Sequence, residues 1–251
     1  MSDQRTRSSH LPPVRRSRGL PIGVMLLTLL GVCFAVSLAG IMISARAYAQ
    51  DASQRRICMN NIRQIGLAFL QWAGDHDDEF PPTVDAAGAE VRALDKNGDL
   101  NPNAQPARTA FAELLKHGYA TSAKWFLCPD SKDEPRPDTF PTDFKNARLQ
   151  DLILTESQCS YGWDITKKHT ADATCAILAD KPRKVPGKEG TAENNSENHG
   201  GEGQNVFYND GHVKWATTSK PDAGDDPDIY TAGGDNVNPW PKSTWDSKII
   251  R

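Results

Sequence analysis

No charged side chain occurs between residues 20 and 45. There is no basic excess either: 29 Lys and Arg stand against 32 Asp and Glu, for a formal charge of −3. That balance argues against a strongly basic nucleic-acid binder, and no nucleic-acid partner is expected. Cysteine is scarce at five residues, and none falls in a C-x-x-C spacing, so a structural zinc site of the usual kind is not signalled. No nucleophile motif is present, and no pair of carboxylates is spaced for general acid–base work, so no enzyme activity is expected. A mean hydropathy of −0.58 excludes a polytopic transporter.

What is present divides the chain into zones. Residues 1–19 hold Arg5, Arg7, Arg15, Arg16 and Arg18 against Asp3 alone. They therefore carry +4, and the chain beyond residue 19 carries −7. Residues 20–45 would span about 39 Å as a helix, enough to cross a bilayer core of about 30 Å. Basic residues before this run and an acidic region after it predict a cytoplasmic N-terminus and an exported C-terminal part in a single-pass inner-membrane protein. An uncleaved signal anchor fits the length of the run. A secretory signal cut after Ala47-Tyr48-Ala49 fits the small-x-small pattern, and a buried core helix is the third reading.

Neither Pro nor Gly interrupts residues 44–65, and Cys58, Ile62, Ile65, Phe69 and Trp72 recur at steps of four and three. This stripe predicts a helix over residues 46–79, buried along one face and ending near Gly74. Residues 80–251 read as an α+β head with an irregular C-terminal tail. A short helix is expected from Ala110 to Tyr119. Strands are expected at Trp125–Cys128, Ser160–Trp163, Cys175–Ala179, Asn205–Tyr208 and His212–Trp215, the last two joined by an Asp210-Gly211 turn. Pro182–Gln204 reads as a long loop. The tail carries Trp240, Trp245, Ile249 and Ile250, which suggest that it folds back onto the head.

Cys58, Cys128, Cys159 and Cys175 lie in the exported part and are disulfide candidates. Cys159 with Cys175, beside neighbouring strands, leaves Cys58 with Cys128. Asp95, Asn97 and Asp99 place oxygens at alternate positions, as calcium loops do, although the EF-hand pattern fails and a solvated turn fits as well. Calcium is thus the one cofactor the sequence suggests. His199, Asp210 and His212 could converge on a metal, or brace a turn.

Several segments in order carry a resemblance: Cys58-Met59-Asn60-Asn61-Ile62-Arg63-Gln64-Ile65-Gly66-Leu67-Ala68, Asp75 to Pro82, Phe126-Leu127-Cys128-Pro129-Asp130, Ser160-Tyr161-Gly162, Leu178-Ala179-Asp180, and His199 through Asp210-Gly211. Over residues 55–215 the chain resembles bacterial pilin-like proteins of the G-type type II secretion pseudopilin group, in the branch with a C-terminal His, Gly-rich loop and Asp-Gly. The resemblance implies a long N-terminal helix packed on an antiparallel sheet. It implies a structural role beside like pilin-type subunits or secretion components, with calcium bound in a head loop in some members. It also implies peptidase cleavage after a Gly and a Glu five residues into the mature helix. Here Gly19 takes the first place, but Val24 takes the second. Ten residues, not the usual nine, separate His199 from Asp210.

Overall fold

The computed structural model describes residues 21–85, 89–91, 108–164, 167–182, 195–219, 229–230 and 249. The chain divides into two compact units, residues 1–48 and 49–251. Helix α1 (Ile22–Asp75) contributes to both.

In the first unit, α1 is apolar and wholly unpacked: every described residue up to Asp51 is exposed. It is the one helix among the described residues long and apolar enough to cross a membrane. Its Thr and Ser hydroxyls turn back onto the helix. Thr28 Oγ1 donates to the Met25 carbonyl (2.9 Å), Ser37 Oγ to Cys33 (2.9 Å) and Ser44 Oγ to Gly40 (2.7 Å). These three hydroxyls are thereby satisfied without water, as a hydrocarbon surround requires.

In the second unit the predicted stripe is buried in full: Cys58, Ile62, Ile65 and Phe69 are completely covered, and Trp72 nearly so. The helix ends one residue beyond Gly74. Asp77 and Asp78 take left-handed conformations (φ 52° and 62°), and the Asp78 amide donates back to the Ala73 carbonyl (3.0 Å). This reverses the chain and brings Phe80 against Phe69, ring centroids 5.6 Å apart. Short strands β1 (Thr83–Val84) and β2 (Glu90–Val91) pair next. Helix α2 (Arg108–His117) then buries Phe111 against both Phe69 and Phe126. Gly118 closes it at φ 84°.

Trp125–Cys128 is not a strand. Ala123–Phe126 winds into a 3₁₀ turn, because Ser122 Oγ accepts the Lys124 amide at its start and Phe126 stacks flat on Phe111 at 4.8 Å. A short helix α3 (Leu149–Leu152) follows. The remaining strands form one antiparallel meander: β3 (Tyr161–Trp163), β4 (Ala176–Asp180), β5 (Gln204–Tyr208) and β6 (Val213–Ala216), in that spatial order. The α+β expectation, a long helix with an antiparallel sheet, holds at this level.

The sheet has two covered faces. Phe207 and Trp163 face the helix stripe, while Val206 and Tyr208 alternate to the other face, as strand periodicity requires. An irregularity in β4 between Ala176 and Leu178 lets both Ile177 and Leu178 join the helix-side core. On the far side, Ile229, Tyr230 and Ile249 pack against Ala179, Val206 and Tyr208. Ile249 thus packs back onto the sheet, as expected of it; Trp240, Trp245 and Ile250 lie outside the described residues.

At Gly66 α1 lies close against the sheet. A Cβ there would overlap the buried Phe207 ring. In a free helix, Gly to Ala is favourable by about 1 kcal/mol. Here we expect the opposite sign: Gly66→Ala should destabilise by about 1–3 kcal/mol through overpacking. Urea unfolding of the two proteins checks this, and a stabilised variant would contradict the packing.

Candidate functional site: a buried polar knot around His199

Most of the segments that carry the resemblance converge on one place; Asp75 to Pro82 and Asp210-Gly211 lie elsewhere. Cys58 comes from α1, Cys128 and Asp130 from the loop after the 3₁₀ turn, and Ser160 from the residue before β3. Asp180 ends β4, Asn205 lies in β5, and His199 sits in the turn before it. His199 is 3% exposed, Cys58 and Asp180 fully covered, and Cys128 1% exposed.

His199 reaches this place through a strained turn. It has φ 55°, and Gly200 and Gly201 follow at 65° and 83°. A left-handed non-glycine residue costs about 1–2 kcal/mol, which surrounding bonds must offset. They are present: the His199 amide donates to the Asp130 carbonyl (3.2 Å), and Nδ1 lies 2.9 Å from Asp130 Oδ2. Nε2 faces three groups: Asp180 Oδ2 at 3.5 Å, Asn205 Nδ2 at 3.3 Å and Cys128 Sγ at 3.6 Å. Burial pulls the His199 pKa down. Hydrogen bonds and charge from Asp180 and then Asp130 outweigh it, so the imidazole is held above its ordinary value.

Asp180 is a buried carboxylate with a full set of donors. Asn198 Nδ2 donates to Oδ1 (3.0 Å), and the Asn205 amide (2.6 Å) and Asn205 Nδ2 (3.2 Å) donate to Oδ2. Asn198 Nδ2 also donates to the Ser160 carbonyl (2.9 Å), which ties β3 to β4 and to the His199 turn. On the α1 side, Asn61 Nδ2 donates to the Leu127 carbonyl (3.0 Å). The outer wall is aromatic and cationic. Trp215 meets the His199 ring edge-on at 5.2 Å, Arg55 covers Trp215 at 4.8 Å, and Arg55 is ion-paired with Glu202.

Cys58 and Cys128 form a disulfide in this knot, as expected, across 70 residues of sequence. The Cys159–Cys175 pairing is not formed; both residues are buried and neither is in a disulfide. The reason is register. Strands β3 and β4 run antiparallel with Tyr161 opposite Asp180, so Cys159 and Cys175, each just before its strand, fall at opposite ends of the pair. Burial pushes the Cys159 thiol up to about 11, which leaves it inert as a nucleophile.

His199 and Asp210 do separate jobs. Asp210 sits at the β5–β6 hairpin, where Oδ1 accepts the His212 amide (3.0 Å) and lies 2.5 Å from His212 Nδ1. Slight burial raises the Asp210 pKa, but the bonds from His212 prevail and it lies below the usual value. Gly211 supplies φ 89° for the turn, and His212 stacks on Tyr208 at 4.3 Å. A metal shared by His199, Asp210 and His212 is therefore replaced by two local networks. The candidate calcium loop, Asp95, Asn97 and Asp99, lies outside the described residues.

Asp130, Asp180, Asn205, Arg55 and Trp215 had no assigned role from sequence. For Asp180 the available signals are its place in the resembling segment Leu178-Ala179-Asp180 and its position as a lone acid closing the apolar run Ala176–Ala179. Among groups that could hold a metal, Cys58, Cys128 and His199 have ligand atoms all within 4.8 Å of one another. No protein-family model, curated protein or solved structure matches the chain.

Proposed function

We propose that the protein is a membrane-anchored, pilin-like structural protein. Its exported head packs against like subunits or secretion components, and its N-terminus stays in the cytoplasm. The observation that carries this reading is α1 itself. One uninterrupted helix is apolar, exposed and internally satisfied over its first half, then buries a single stripe in the head over its second. The order of resembling segments supports the pilin-like character, and their convergence on a sealed knot supports a role in fixing the head rather than in turnover. With His199 and Asp180 covered, no substrate could reach the most reactive-looking side chains without opening the fold.

A second reading is favoured by one specific feature. No carboxylate lies in residues 20–45, and Val24 stands where an assembling subunit carries Glu. On this reading the helix is only a tether for a non-polymerising exported binding module that takes calcium or a surface ligand. Crosslinking of intact cells separates the two. A ladder of multimers is the expected result, and a lone monomer band would leave the tether. Mass spectrometry of the mature N-terminus complements it: a start at Leu20 means pilin-type processing, at Gln50 a released protein, and at Met1 or Ser2 a plain anchor.

A further inference from the structure

We propose that the Cys58–Cys128–His199 cluster is a zinc site whenever its disulfide is reduced, so that one buried position holds either a sulfur–sulfur bond or a thiophilic divalent cation. The inference is independent of whether the chain polymerises. Three observations carry it.

First, the donor set is a thiophilic one. Two sulfurs and one imidazole nitrogen lie within 4.8 Å of one another, and all three residues are buried. Tetrahedral zinc with Zn–S near 2.3 Å and Zn–N near 2.0–2.1 Å needs an S···N edge of about 3.5 Å and an S···S edge of about 3.8 Å. The Cys128 Sγ to His199 Nε2 edge is already 3.6 Å. Once the disulfide opens, the sulfurs need only move apart to the second length, and their Cα atoms are 5.1 Å apart.

Second, the histidine is held as metal-bound histidines are held. Asp130 Oδ2 lies 2.9 Å from Nδ1. A carboxylate there keeps the proton on Nδ1 and turns the Nε2 lone pair towards the sulfurs. Third, Asp180 Oδ2, 3.5 Å from Nε2 and already accepting from the Asn205 amide and Nδ2, would supply negative charge beside the cation rather than a ligand. These ligands come from α1, the loop at Cys128 and the His199 turn, so the cation would join the same three segments that the disulfide and its neighbours join.

The chemistry balances. A dithiol reductant gives two electrons and two protons to the Cys58–Cys128 bond and becomes a disulfide itself, leaving two thiols. Zinc then displaces both thiol protons to solvent and is held by two thiolates and neutral His199. Reoxidation requires the metal to leave first.

The test uses the full chain in detergent, reduced anaerobically with a phosphine in denaturant and returned to buffer with Co²⁺ as the spectroscopic probe. One Co²⁺ per chain is expected, with sulfur-to-cobalt charge-transfer absorption and the visible bands of a tetrahedral ion. The unreduced protein should show neither. His199→Ala should lose the tetrahedral bands. Asp130→Asn should bind about 10- to 100-fold more weakly. The Cys159→Ser, Cys175→Ser double variant should keep the bands. Stoichiometric zinc should also slow re-formation of the disulfide, read by thiol alkylation. The proposal is overturned if reduced wild type shows no cobalt–thiolate absorption, whether or not circular dichroism shows it folded. It is equally overturned if the bands persist in His199→Ala.

Discussion

Phe69→Ala should lower the stability of the head by about 3–5 kcal/mol, the range for deleting a fully buried ring. Phe69 is completely covered and sits at the meeting point of four segments. Its ring lies 5.6 Å from Phe80, 6.0 Å from Phe111 and 5.0 Å from Trp163. Removing it strips the reversed chain after α1, helix α2 and strand β3 of their shared contact at once. The neighbours are rings fixed by one another, so collapse into the gap is limited and the cavity term stays near its upper values. For a unit of this size, each kcal/mol shifts the melting temperature by roughly 2–4 °C, so a fall on the order of 10 °C is expected. Near-UV circular dichroism of the full chain in detergent follows it. Leu67→Ala is the internal control: Leu67 is 41% exposed on the same helix and should cost far less. Equal losses in the two variants would show that the stripe does not hold the head. Trp72 should fall between them. It is nearly buried, yet its partners His76 (4.1 Å), His117 (5.3 Å) and Tyr119 (5.2 Å) lie at the helix end and are themselves polar.

These residues were legible in the sequence for a physical reason. Helical periodicity is a local property, so a stripe at steps of four and three already names the buried face. The Asp210-Gly211 hairpin was legible likewise, because its turn chemistry lies within four residues. The Trp125–Cys128 segment misled because an apolar run of four carries no period of its own, and Ser122 and the facing Phe111 decided its shape. The Cys159–Cys175 pairing failed at a different level. Adjacency of strands was inferred correctly, but direction and register determine which ends meet, and those are set by the whole sheet. The knot was least legible of all. His199 and its partners Asp130 and Asp180 are separated by 69 and 19 residues, and no local spacing announces a buried ion cluster assembled from five segments. The resemblance marked the right segments in order without saying that they touch.

The second large effect concerns the covalent bond in that knot. Replacing both Cys58 and Cys128 by Ala should cost about 4 kcal/mol, because the bond closes a loop of 70 residues that the unfolded chain would otherwise leave open. Urea midpoints of the oxidised wild type and the double variant measure it, and a difference under about 1 kcal/mol would mean that packing alone fixes α1 to the sheet. The neighbours make a sharper expectation available. His199 Nε2 stands between Cys128 Sγ and the buried Asp180 carboxylate, with Asp130 behind it. Removing the imidazole withdraws a partner from Asp130 and from the fully covered Asp180, and a buried carboxylate left short of a partner is costly. His199→Ala should therefore destabilise strongly with the disulfide intact. In the background lacking both cysteines, the His199 turn loses the wall that positions it, and a strained left-handed residue is then free to relax. The two changes should accordingly combine with less than the sum of their separate losses, a coupling of at least about 0.5 kcal/mol. Strict additivity would mean that disulfide and histidine stabilise the head independently. Coupling would mean that α1 is held by one cooperative unit, in which the covalent bond orients the ion cluster and the cluster in turn shields the bond.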